Sequence, residues 1–205
     1  MSAKYIIGLD PSFSGAGVAV IDLENKKISL REFSVDLGER TFPYVCKAAM
    51  EMTTKLIDNN PEFINKNTLV GIEIPPTQGL FSVKLWALDA YIYNNLIDCK
   101  KYLFSTAYLR YIHKKKSDKK DTMNLISIIL DLFKEEGFII EQTLLDKKNK
   151  PRKFTSNQCD AMLYATRIYC KYHLENGIID NVTPQIIELN DRFAVNKEEF
   201  FRENT

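Results

Sequence analysis

Residues Lys4–Asp22 read KYIIGLDPSFSGAGVAVID. Tyr5, Ile6, Ile7 and Leu9 make a short apolar run, long enough for a buried strand and too short for a core helix. Pro11, Ser12, Ser14, Gly15 and Gly17 follow as a turn-rich cluster, and Val18–Ile21 is a second strand-like run ending at Asp22. The stretch predicts a β-hairpin with the carboxylate of Asp10 at the end of a central strand. A charge there is costly to desolvate unless a cation or a donor meets it. Asp10 either caps its own turn or has a partner elsewhere in the chain.

At 205 residues the chain is sized for one α/β domain with a tail and can bury a full core. Its 28 Lys and Arg against 27 Asp and Glu leave a net charge of +1, so only the distribution of charge can speak for a nucleic-acid partner. No stretch reaches the roughly 20 apolar residues of a membrane span, and the N-terminus lacks a charged-then-apolar leader pattern. No membrane association and a cytoplasmic location are expected. Cys46, Cys99, Cys159 and Cys170 are scattered without a CxxC pair, which reads as reduced packing thiols rather than disulfides or a zinc site.

Beyond the hairpin, Lys27–Val35 alternates as a third strand. Apolar residues at three-to-four spacing predict a helix over Glu39–Asn60, with Pro43 harmless in its first turn. Thr68–Ile74 (TLVGIEI) is a buried strand that carries Glu73 near its end, in the same awkward place as Asp10. Ser82–Leu96 reads as a helix, Tyr102–Phe104 as a strand and Asp121–Glu136 as an amphipathic helix stopped by Gly137. Phe138–Ile140 is a candidate for one further short strand. Ser156 is the expected N-cap of a helix over Asn157–Leu174, which carries Asp160 among small and apolar residues, with Asn157 on the same face. One domain over residues 1–178 and a polar, weakly helical tail over 179–205 are expected.

Two basic runs interrupt this pattern. Residues 106–120 hold Arg110, Lys114, Lys115, Lys116, Lys119 and Lys120, and Lys147–Lys153 (KKNKPRK) includes Lys150, Arg152 and Lys153 without an acid. Runs of lysine are solvated loops by default. His113 and His173 lack ligand spacing and read as surface residues; Trp86 and the helical tyrosines read as core or dimer interface.

The pieces GLDPSFSGAGVAVID, VGIEIPP with SVKLWALDA, STAYLR with SDKKDTM, and SNQCDAMLYA, in that order, resemble the RuvC-type Holliday-junction resolvases of the ribonuclease-H-like superfamily. The resemblance covers roughly Lys4 to Leu174, and the composition looks more like a phage-type or divergent member, in a bacterial cell or phage-infected host. It implies an α/β fold with a mixed five-stranded sheet flanked by helices. It also implies that Asp10, Glu73 and Asp160 are three of four metal-binding acids and that Asn157 stands where the fourth would be. An amide oxygen can still ligate Mg²⁺ but brings no charge.

By the same resemblance, Lys119 matches a lysine near the scissile phosphate and Arg110 a basic residue at the end of the preceding strand. The wedging aromatic has no clear match: Pro75 and Pro76 occupy its region, and Phe81 is the remaining candidate. Implied cofactors are two Mg²⁺ ions per site, with Mn²⁺ able to substitute and no nucleotide. Implied partners are branched DNA and a second copy of the chain, paired through the helix Ser82–Leu96. Arg110, Lys114, Lys115, Lys116, Lys120, Lys150, Arg152 and Lys153 become phosphate contacts, which position a substrate without reading its sequence. Two other readings stay open: an actin-like or sugar-kinase ATPase, suggested by the Asp10 hairpin, and an inactive junction-binding relative, suggested by Asn157.

Overall fold

Strands of both polarities share one sheet. The computed structural model describes residues 2–39, 41–75, 82–105, 119–142 and 154–193. Strands β1 (Tyr5–Asp10), β2 (Ala16–Asp22) and β3 (Lys27–Phe33) form an antiparallel meander. β4 (Thr68–Ile74) and β5 (Lys100–Ser105) add parallel to β1 and to each other on one side. β6 (Ile139–Gln142) adds parallel to β3 on the other, so the strand order is β5-β4-β1-β2-β3-β6. Among the described residues the sheet therefore has six strands where five were expected. The extra one is the Phe138–Ile140 run, displaced by a residue, four residues long and paired along a single edge.

Among the described residues five α-helices cover the two faces. α1 (Phe42–Asp58) and α2 (Ser82–Asn95) lie on one side, where Val45, Met52, Leu88 and Ile92 pack with Ile7, Leu9, Val18, Val70 and Ile72. α3 (Lys119–Glu135), α4 (Ser156–Glu175) and α5 (Val182–Phe193) lie on the other, where Ile129, Phe133, Met162, Ile168 and Ile186 pack with Ile6, Ala19, Ile21 and Leu30. Successive residues of β1 alternate between these cores, as the two-residue period of a strand requires. No helix among the described residues is long and apolar enough to cross a membrane. All four cysteines are free.

Two local expectations need correction. The N-cap of α4 is Thr155, not Ser156: the Thr155 side chain accepts from the Gln158 amide while the Gln158 side chain accepts from the Thr155 amide, a capping box. His173 is not a surface residue. Only 7% exposed, it stacks on Tyr169 with ring centroids 3.9 Å apart, and its Nε2 lies 3.4 Å from Asp180 Oδ2. Trp86, by contrast, is 43% exposed and lies outside the core.

Candidate active site

Alternation and two glycines decide which acids meet. Ile6, Gly8 and Asp10 share the α4 face of β1, and Leu69, Gly71 and Glu73 share the same face of β4. The register pairs Gly8 with Gly71 and Leu9 with Ile72, so Asp10 and Glu73 fall side by side at the ends of adjacent central strands.

α4 brings the third acid. A Cβ at Gly8 would collide with the backbone of Ala161 and Ala165, and one at Gly17 with the backbone of Asn157 and Gln158. The helix thus lies directly on the backbone of β1 and β2, a close approach that only glycine permits. Gln158 secures its first turn by donating from Nε2 to the Leu30 carbonyl at 3.2 Å. Asn157 donates from Nδ2 to the Gly15 carbonyl and, at 3.4 Å, to Glu32 Oε1. Both partners are acceptors, which fixes the amide with its oxygen turned away from them.

Asp10, Pro11, Ser12, Glu73, Pro75, Leu85, Asp89 and Asn157 line a cleft of about 290 Å³. The acids bear on one another's ionisation. Burial above all, then the charge of Glu73 and a hydrogen bond to it, then Asp160 and Asp89, hold Asp10 well above the usual carboxylate range. Burial raises Glu73 too, against opposing hydrogen bonds with Asp10 and Tyr164. Burial and the charge of Glu73 push Asp89 up to about 8. The phenol of Tyr164, fully buried beneath these groups and stacked on Phe104, is itself held high by burial and by Glu73, Asp10 and Asp160.

Among the described residues no three His, Cys, Asp or Glu side chains form a ready-made ligand set for one ion. The donor chemistry nonetheless fits a hard divalent cation. The donors are carboxylate oxygens, Asp89 Oδ1 is buried without a hydrogen-bond partner, and no lysine or arginine is among the described lining residues.

No protein-family model and no curated protein matches the sequence. Among solved structures, Thermus thermophilus RuvC is similar at a TM-score of 0.51 and 14% identity, over 84% of this chain and 96% of that one. T. thermophilus RuvC in complex with a Holliday junction substrate matches over the same shares, with the same TM-score and 12% identity. The fold is the ribonuclease-H-like fold of RuvC, in a divergent chain. A human cytomegalovirus terminase nuclease domain, Mn soaked and inhibitor bound, is similar at a TM-score of 0.42 and 11% identity, over 81% of this chain and 83% of that one.

Within this RuvC-like fold, Asp10, Glu73 and Asn157 line the cleft where β1, β4 and the start of α4 meet, and Asp160, three residues on from Asn157 along α4, acts on Asp10 through its charge. Lys119 and Lys120 open α3, with side chains outside what is described. Arg110, Lys114, Lys115, Lys116, Lys150, Arg152, Lys153, Pro76, Phe81 and His113 lie outside the described residues. Asp89 and Tyr164 went unread in the sequence. The signal for Asp89 was its spacing on α2: it follows Leu85 by four and precedes Ile92 by three, an acid on the inward side of a helix.

Proposed function

We propose that the chain is a divalent-metal-dependent, structure-selective endonuclease that nicks branched DNA, four-way junctions included, as a homodimer. The observation that supports this most is that carboxyls from three separate elements, Asp10 of β1, Glu73 of β4 and Asp89 of α2, line a single cleft. The hairpin glycine favours this over a nucleotide-phosphate cradle, because the α4 backbone already fills the approach to Gly17.

Asp10 and Glu73 would hold the cation from the sheet and Asp160 from α4, with the Asn157 amide oxygen assisting. Mg²⁺, two ions per site, is the expected cofactor, and Mn²⁺ the substitute. Once bound, the cation supplies the Lewis acidity that makes a water nucleophilic near neutral pH and stabilises the leaving oxygen. The remaining work belongs to the chain. Close packing of α4 on Gly8 and Gly17 fixes the carboxylates relative to one another. Lys119, Arg110 and the two basic runs would meet the phosphates of several arms, which selects shape rather than sequence. Exposed Val83, Trp86 and Tyr93 recur on one face of α2 and offer the surface for a two-fold partner.

The test is a plasmid-borne cruciform incubated with Mg²⁺ or with EDTA. Linear product from paired nicks is expected with Mg²⁺ alone, and Asp10→Asn should lose roughly 100-fold or more in rate, at least what changes around a metal site cost, while still binding the junction. Equal nicking by Asp10→Asn overturns the active site; cleavage of linear duplex as fast as the cruciform overturns the structure selectivity; nicked circles without linear product overturn the paired action.

A further inference from the structure

Asp89 reaches the cleft from α2, whose Leu88 and Ile92 are buried in the core on the α1 side of the sheet, whereas Asp160 arrives on α4 from the other face. Its Oδ1 is closed off from solvent and accepts no hydrogen bond. The described residues lining the same cleft offer little to satisfy it: the charged ones are Asp10 and Glu73, and the amide nitrogen of Asn157 is engaged with Gly15 and Glu32. A buried carboxyl oxygen among other carboxyls is met either by a proton or, once ionised, by a cation. Asn157, meanwhile, brings no charge to the α4 side of the cleft.

We infer that Asp89 is a further ligand of the divalent cation at this site, supplying from α2 the charge that Asn157 does not bring. This rests on the metal-dependent reading above. Hard cations accept carboxylate oxygens from any direction that completes their shell, so the fourth acid need not come from α4. Among the described residues no hydrogen bond or ion pair accounts for an acid at Asp89 Oδ1.

The test is Mn²⁺ binding, followed by calorimetry and by the electron paramagnetic resonance of free Mn²⁺, on the full-length protein and its Asp89→Asn and Asp89→Glu variants. Asp89→Asn should weaken Mn²⁺ binding by at least roughly 10-fold with an unchanged circular dichroism spectrum, and Asp89→Glu should recover part of the affinity. Affinities within two-fold for wild type and Asp89→Asn overturn the inference, as does equal weakening by both variants or a wild type that binds no Mn²⁺. Should Asp89→Asn not fold, Asp89→Glu with wild-type affinity supports the carboxylate role and loss of binding in Asp89→Glu overturns it. The nuclease reading fails separately: Mn²⁺ binding that depends on Asp89 in a protein that nicks no branched DNA leaves Asp89 a ligand and removes the proposed substrate.

Discussion

Asn157 shows how one amide can be fixed by its neighbours rather than by the chemistry of a site. Its Nδ2 donates to the Gly15 carbonyl and to Glu32. Aspartate would set a carboxylate against both acceptors, at a cost of about 1–3 kcal/mol for the lost and opposed bonds. Asn157→Asp is therefore expected to lower the thermal midpoint of the metal-free protein; a midpoint equal to or above the wild type would show that the amide is not needed there. The raised acids carry a second expectation. Asp89 moves from an ordinary 3.8 to about 8, and Asp10 and Glu73 move the same way. Between those pH values the folded protein keeps protons that the unfolded chain has released, so unfolding free energy falls as pH rises from about 4 to about 8. Urea midpoints in EDTA should drop across that range, and Asp89→Asn should flatten the drop; parallel curves for the two proteins would contradict it.

At the scale of elements, the decisive contact is α4 on the central strands. Gly8→Ala drives a methyl into the backbone of Ala161 and Ala165, with no flexible side chain to yield. Overpacking of this kind costs about 1–3 kcal/mol, and more where the neighbour is backbone. Gly8→Ala should therefore lower stability by at least about 2 kcal/mol and reduce nicking with it, read by urea denaturation and the cruciform assay. Full stability would mean that α4 is not seated as described.

The central strands were legible because both faces of β1 and β4 are buried, so their sequences are unbroken apolar runs; Thr68–Ile74 matches its expectation to the residue. The amphipathic helices α1 and α3 were legible for the complementary reason, a single buried stripe. α4 is buried on most sides, which blurs its period, so its cap was read one residue late and His173 was assigned to the surface. β6 has four residues and one neighbour, too little pattern to separate a strand from a loop. Asp10, Glu73 and Asp160 stood out as charges inside apolar runs. Asp89 did not, because a helix places each residue in a three-dimensional context that spacing alone specifies weakly.

The described residues form a sheet layered between helices that carries acids at the ends of its central strands, in a chain whose net charge is near neutrality. On the proposed reading, binding of DNA would therefore fall to local concentrations of lysine, and chemistry to the carboxyls. The most direct measurement of the central claim is the anomalous scattering of Mn²⁺ in crystals of the wild type and of Asp10→Asn. A peak bonded to Asp10 and flanked by Glu73 and Asp160, lost in Asp10→Asn, is the expected result; a peak elsewhere, or one that survives the substitution unchanged, would contradict it.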